Sequence, residues 1–149
     1  MKKLTTLLIL CVLALVAYDC EKVSLDDYQE FVMTTPDVGN LSFESLNATY
    51  LDNGCYVSAI TDRKQGADIL WLTLSFDKDT SIGNRTKLRS CSFGPFMNSP
   101  YADKMSGGEI YLKEKTEKVI TLRFKDVCFT TDRGEYRLRG DLTFILTDN

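Results

Sequence analysis

Cysteine thiols are the side chains of this sequence whose type and spacing permit covalent chemistry. The five are Cys11, Cys20, Cys55, Cys91 and Cys128. A thiol can accept a lipid, pair as a disulfide in an oxidising compartment, or stay buried and unreactive. The cellular location of the protein therefore decides which of these reactions its cysteines undergo.

The first nineteen residues predict an export signal. Lys2 and Lys3 form a short basic start, and a mostly apolar run of fourteen residues follows from Leu4 to Ala17. A helix needs roughly 20 apolar residues to cross a hydrocarbon core of about 30 Å, so this run is too short for a transmembrane span. We expect residues 1–19 to be a cleaved signal peptide.

The residues that end at Cys20 are similar to a lipoprotein cleavage signal. The letters LVAYDC, Leu15 to Cys20, close a short apolar segment, as in the lipobox of bacterial lipoproteins. In that family the cysteine receives diacylglycerol and becomes the mature N-terminus, so the resemblance implies that Cys20 is the lipid attachment site. Asp19 departs from the small residue usual before the cysteine. The alternative is cleavage after Ala14 or Ala17 without lipid, which gives a secreted protein.

Two further segments resemble small lipoproteins of Bacteroides-type bacteria. The acidic stretch EKVSLDDYQE after Cys20 is similar to their surface-export signal, although a plain polar tether would look the same. Residues Ser106–Leu146 look like the closing hairpin of their all-β domains. The resemblance implies a lipid anchor in the cell envelope, at the outer membrane, with secretion as the alternative.

The remaining cysteines have two possible pairings. If Cys20 is lipidated, three cysteines remain for pairing: Cys55, Cys91 and Cys128. They lie on separate predicted strands. We predict a disulfide between Cys55 and Cys91, which would close a loop of about 35 residues and contribute about 3–4 kcal/mol in the chain-entropy model. Without lipid, four cysteines could form two disulfides.

Alternating hydrophobicity predicts an all-β domain. Ile69–Phe76 is the clearest strand, with every second residue apolar on one face. Turn residues such as Asp132 and Gly134 separate further strands, and Gly140 interrupts the last one as a bulge would. We expect a tether over residues 20–40 and, over residues 41–149, an antiparallel β-sandwich or small barrel of about seven to eight strands.

Composition excludes several classes of function. Histidine is absent, which removes the commonest general base and zinc ligand and excludes Ser-His-Asp and Cys-His mechanisms. The net charge of −3 becomes −4 when Lys2, Lys3 and Asp19 leave with the signal peptide. An acidic chain lacks the positive field that attracts nucleic acid. We expect no cofactor, metal or nucleic-acid partner.

Basic residues recur at period two, at Arg85, Lys87 and Arg89 and again around Arg123 and Arg137. Neighbouring strands would turn such rows into a basic patch. Charge rows of this kind are more typical of the solvated face of a sheet, and that is the interpretation we favour.

Four aromatic residues are the candidate ligand contacts: Trp71, Phe93, Phe96 and Tyr101. The last three belong to a segment rich in Gly, Pro and Ser between Ser90 and Gly108. Aromatic side chains on a loop of a rigid β-scaffold can form a binding platform. The alternative is that these rings pack into the core, as large aromatic residues generally do.

These observations favour a non-enzymatic cell-envelope lipoprotein that binds a glycan, peptide or protein partner and is held to the membrane by its N-terminal lipid. A lipocalin-like barrel that holds an apolar ligand or inhibits an enzyme is an alternative, and it predicts an internal cavity. A secreted, disulfide-bonded domain is another. A carboxylate enzyme is the least favoured, and it requires two acidic side chains facing each other across a cleft.

Overall fold

The computed structural model describes residue 25 and residues 27–52, 54–62 and 68–147. The predicted signal peptide and Cys20 lie outside these ranges. Within them, no helix has the length and apolar character needed to cross a bilayer.

The described residues form nine strands and no helix, which confirms the all-β prediction with slightly more strands than expected. The strands are β1 Val32–Thr35, β2 Gly39–Leu41, β3 Phe43–Leu51, β4 Gly54–Thr61, β5 Leu70–Asp77, β6 Leu88–Pro95, β7 Gly107–Lys115, β8 Val119–Thr131 and β9 Gly134–Leu146.

Strand β9 organises the sheet. One of its edges pairs with β8, which in turn pairs with β7. Its other edge pairs antiparallel with β1 through residues 137–139 and parallel with β3 through residues 145–146. Strands β3 to β6 continue as an antiparallel series. The short β3–β9 contact makes the sheet mixed, whereas an antiparallel sheet was expected.

The sheet curls into a partly closed barrel. The segment before β6 runs along the outer edge of β7, where Thr86 N donates to Ile110 O at 2.8 Å and Leu112 N donates to Asn84 O at 3.0 Å. These bonds join the two ends of the curled sheet at one end of the barrel. Two walls result: β3–β6 on one side and β7–β9 on the other.

Side chains from both walls fill the interior. Phe93 of β6 stacks on Phe129 of β8 with ring centroids 4.6 Å apart, and Phe31 contacts Phe124 edge-to-face at 5.7 Å. The predicted inward face of β5 is confirmed, and its four members are at most 4% exposed: Leu70, Leu72, Leu74 and Phe76. Burial of each such side chain contributes about 1.5–3 kcal/mol relative to exposure.

Residues Asp27–Glu30, which we call the strap, cross the outer surface of the β7–β9 wall. They pass over β9 at Gly140, whose φ of +97° lies in the left-handed region. A side chain there would approach the carbonyl of Glu30 and come within 2.8 Å of the Phe31 Cα. Gly140 therefore permits this crossing and is not the predicted bulge. The bulge lies opposite, on β8, between Phe124 and Val127.

A buried ion cluster holds the strap in place. The Arg123 guanidinium donates to both oxygens of Asp141, at 2.8 and 2.9 Å, and Lys113 Nζ donates to the same carboxylate at 2.8 Å. Gln29 N donates to it at 2.9 Å, and Asp141 N donates back to Gln29 O at 2.8 Å. The Asp27 carbonyl accepts from Lys113 at 2.7 Å and from Arg123.

The charge of Asp141 is stabilised inside the protein. Burial by itself raises the pKa of this carboxyl, but hydrogen bonds from Arg123, Lys113 and Gln29 outweigh burial and lower the pKa to about 2. The ionised form is therefore favoured by folding. This contribution to stability is complete above the unfolded pKa of about 3.9 and is lost as the pH falls toward 2.

Gly140→Ala should destabilise the fold because the new methyl group meets the strap backbone in addition to straining φ. We expect a loss well above the roughly 1–3 kcal/mol of φ strain alone, measured by urea unfolding. Gly83→Ala is the matched control, since Gly83 has φ +86° and nothing within 4 Å of the added carbon. Equal losses for the two variants would contradict the close crossing.

Asp141→Asn should cost about 3–5 kcal/mol at pH 7, because it leaves two buried cations without their counter-charge. It should also flatten the fall in unfolding free energy between about pH 4 and pH 2. Asp126→Asn, in an exposed ion pair with Arg139, is the control and should cost no more than about 1 kcal/mol. If the unfolding free energy of Asp141→Asn falls between pH 4 and pH 2 as steeply as that of the wild type, another carboxyl governs acid unfolding.

Candidate functional site

The central part of the outer surface of the β3–β6 wall is a grid of uncharged side chains, which we call the polar face. Four strands in register each contribute one position to each of three rows, so the grid has twelve members. The rows are Ser45–Ile60–Trp71–Gly94, Asn47–Ser58–Thr73–Ser92 and Thr49–Tyr56–Ser75–Ser90. The exposed Arg89–Asp77 ion pair lies just beyond the Tyr56 row.

Strand periodicity produces this face. In β4, Cys55, Val57 and Ala59 point into the core, so the alternate residues point outward. Most outward members of the grid are small. They leave a shallow groove of about 410 Å³, whose side-chain lining includes Asn47, Thr49, Tyr56, Ser58, Thr73 and Ser90.

Aromatic side chains stand at both ends of the polar face, and of these Tyr56 also lines the groove. At one end, Trp71 and Phe96 are 37% and 36% exposed, and their rings meet edge-to-face with centroids 5.4 Å apart. Phe96 is held there by its N–H, which donates to Ile69 O at 2.8 Å. At the other end Tyr56 is 44% exposed and stands four residues along the sheet, about 13 Å from the Trp71 row.

The floor of the groove offers hydroxyl and amide groups. Ser75 Oγ and Ser90 Oγ share a hydrogen bond of 2.6 Å, and the Asn47 side-chain amide donates to Ser45 Oγ at 3.3 Å. Ser75 is buried, so its hydroxyl bonds Ser90 from beneath the surface and does not meet a ligand. Each hydroxyl carries one donor and two acceptor lone pairs, so the exposed Ser45 and Ser90 keep capacity for a ligand. The face can therefore make neutral hydrogen bonds over its floor and apolar contacts at its ends.

Two of the four predicted aromatic contacts, Trp71 and Phe96, come together at this face. The prediction for Phe93 is wrong, because its side chain points inward opposite Leu72 and is fully buried against Phe129. Adjacent positions in a strand point to opposite faces, so the register of β6 decides which ring is buried. The sequence of this segment alone does not fix that register.

Tyr101 belongs to a separate cluster at the end of the barrel. Its hydroxyl donates to Asp68 Oδ2 at 2.9 Å, and the Arg133 guanidinium lies over its ring at 4.9 Å and pairs with Asp68 at 2.9 Å. Burial, with the Asp68 hydrogen bond second, raises the pKa of Tyr101 to about 12. This cluster borders a small pocket of about 170 Å³ that contains Tyr136.

The predicted Cys55–Cys91 disulfide is not formed. Both residues are free thiols, on β4 and β6, and β5 lies between them. Two strand spacings separate the chains by about 10 Å, beyond the Cα separation that a disulfide spans. Burial raises the pKa of Cys55 to about 11 and that of Cys91 to about 12. Both thiols are therefore poor nucleophiles at neutral pH.

The predicted basic rows are mostly paired with carboxylates at the surface. Arg85 lies 3.0 Å from Glu109, and Arg89 lies 2.5 Å from Asp77. Arg123 differs, since it was expected at a solvated face and is buried in the ion cluster under the strap. Within the described ranges, no three His, Cys, Asp or Glu side chains converge as a metal site would require.

Sequence reasoning missed the hydroxyl and amide members of the polar face. Their signal was present in the alternation of Tyr56, Ser58 and Ile60 with buried residues. Serine and threonine at alternating positions are ordinary in an exposed strand, however, and only the register of four strands collects them into one face.

No protein-family model matches this chain, and comparisons with curated proteins and with solved structures likewise gave no match. The function of the protein must therefore be inferred from the geometry of the polar face.

Denatured, unreduced protein should alkylate fully at Cys55, Cys91 and Cys128, because none is paired. In the native state at pH 8, Cys55 and Cys91 should react much more slowly with a thiol reagent than they do in urea, because burial disfavours the thiolate. Mass spectrometry of the alkylated peptides measures both. A peptide linking Cys55 to Cys91 would contradict the strand order.

Proposed function

We propose that this protein is a cell-envelope lipoprotein, anchored through Cys20, that binds a neutral oligosaccharide on its polar face. The binding role is non-enzymatic. The observation that carries the proposal is the twelve-residue uncharged grid, with Trp71 and Phe96 at one end and Tyr56 at the other.

The absence of charge on the grid supports a neutral ligand. Asp, Glu, Lys and Arg make up 26% of the chain, yet none of them occupies any of the twelve positions. A charged ligand is recognised by opposite charges and charge-assisted hydrogen bonds, which this face lacks. Sugars present hydroxyl groups that match the floor of the groove, and their apolar ring faces suit exposed aromatic side chains.

The exposure of such a face also supports a partner. Strand β6 ends the sheet order, and beside it the loop residues Tyr101 and Ala102 bond to Phe93. These bonds cover the edge of β6 at Phe93, so the side-chain face of the sheet, and not its edge, is the surface that remains open to a partner here.

A glycan fits this site better than an extended peptide does. A peptide that adds to a sheet binds the backbone of an edge strand, whereas the groove lies over β4 and β5, whose backbones already pair on both sides. The groups available over these strands are side-chain hydroxyls and rings. The lipocalin-like alternative needs an internal cavity, and aromatic rings occupy the described interior.

Trp71→Ala should weaken binding of a neutral oligosaccharide at least tenfold, because an aromatic anchor at a binding site typically contributes more than about 1.4 kcal/mol. Tyr56→Ala should act in the same direction. Screening of the purified full-length chain on an array of neutral and acidic glycans identifies the ligand, and titration calorimetry measures the variants.

Tyr28→Ala is the matched control, since Tyr28 is an aromatic residue that is 70% exposed and lies on the strap, over the other wall. Its affinity should equal that of the wild type, and urea unfolding confirms that each variant folds. Wild-type protein that binds only acidic glycans, only peptides or nothing on the array would overturn the proposal, as would Trp71→Ala with unchanged affinity.

A further inference from the structure

The tether predicted over residues 20–40 is too long, because β1 lies within that range and β2 begins in it. The strap joins the shorter tether, residues 20–26, to one particular wall of the barrel. Lys113 Nζ donates to Asp27 O at 2.7 Å, and the carboxylate and backbone N–H of Asp141 both bond to Gln29. The tether therefore leaves the domain at a fixed point on the outer surface of β7–β9. The polar face lies on the outer surface of the other wall, across the core that the Phe93–Phe129 stack spans.

The tether is short compared with the domain. From Cys20 to Asp27 there are seven Cα–Cα steps, so even a fully extended chain reaches at most about 25 Å. A compact domain of about 120 residues has a radius of gyration of about 14 Å, which corresponds to a sphere about 35 Å across. To bring the polar face to the bilayer, the tether would have to wrap about 55 Å around half the circumference.

The strap also carries a side chain suited to a lipid interface. Tyr28 is 70% exposed, and Lys113 Nζ lies 5.8 Å from its ring centroid. Tyrosine is enriched at membrane–water interfaces, where its apolar ring and polar hydroxyl are both accommodated.

We infer that the strap orients the domain on the membrane, with the outer surface of β7–β9 against the lipid and the polar face directed away from it. This inference rests on the proposed anchoring through Cys20. It identifies a second interaction surface, whose partner is the bilayer, and it leaves the polar face open to glycans outside the membrane.

Fluorescence quenching by lipid tests the orientation, because Trp71 is the only tryptophan of the chain. Full-length protein from a host that lipidates it is reconstituted in phosphatidylcholine vesicles containing a lipid with a headgroup spin label. Trp71 should keep its intensity to within about a tenth. The Trp71→Phe/Tyr28→Trp variant, which we call the strap probe, should lose about half or more. Trp71→Phe/Tyr56→Trp should behave like the wild type.

Vesicle flotation separates this inference from the proposed anchoring. If the wild type fails to float, or if Cys20→Ser floats equally well, the anchoring proposal itself fails. If the wild type floats but Trp71 is quenched as strongly as the strap probe, or the strap probe is not quenched, the orientation is wrong and the anchoring stands.

A longer tether provides the second variant. About thirty Gly and Ser residues inserted between Cys20 and Leu25 should reduce the quenching of the strap probe at least twofold, because the domain can then leave the surface and rotate. Unchanged quenching after insertion would show that the tether length does not set the orientation, and it would overturn that part of the inference.

Discussion

The carboxylate of Asp141 is the interaction on which the arrangement of this protein depends. It joins three strands and the strap, because it accepts hydrogen bonds from Arg123, Lys113 and Gln29 at one buried point. A buried cation or N–H without a partner is costly, and the strap completes the cluster by supplying the Gln29 N–H and the Asp27 carbonyl. Gly140 lets the strap backbone approach β9 closely enough to complete the cluster. The ion cluster and Gly140 therefore act together to fix the place where the strap crosses β9.

The outer surfaces of the two walls differ: that of β7–β9 holds the strap, and that of β3–β6 carries the proposed ligand surface. Strand alternation directs apolar residues from both walls into one core, and it directs the remaining residues outward. On β7–β9 the outward residues include Arg123 and Asp141, whose charges hold the strap. In the centre of β3–β6 they are neutral and mostly small, which leaves a groove that Tyr56 helps to line. The proposed anchor and the proposed ligand surface consequently lie on opposite sides of the same core.

Much of the fold could be predicted from local pattern, whereas most of the site could not. Period-two hydrophobicity identified β5 and its inward face correctly, since burial of one face is a local property of a strand. The disulfide prediction failed because it placed Cys55 and Cys91 on separate strands without knowing the strand order. In the sheet, β5 lies between the two strands. Phe93 and Phe96 are three residues apart in one segment, and only the pairing of β6 with β5 shows which ring is buried. Gly140 looked like a bulge because the sequence does not reveal the segment that passes over it.

The amino-acid sequence by itself determined the strand periodicity and the lack of histidine chemistry, and it predicted export and a lipid at Cys20, because these depend on residue type and near neighbours. Tertiary structure decided which residues meet. Arg123 and Asp141 are eighteen positions apart and form a buried pair, and the grid gathers residues from Ser45 to Gly94. Such contacts depend on register and on the curl of the sheet, which arise from packing of the whole core. The polar face is for that reason a property of the folded protein and not of any single segment.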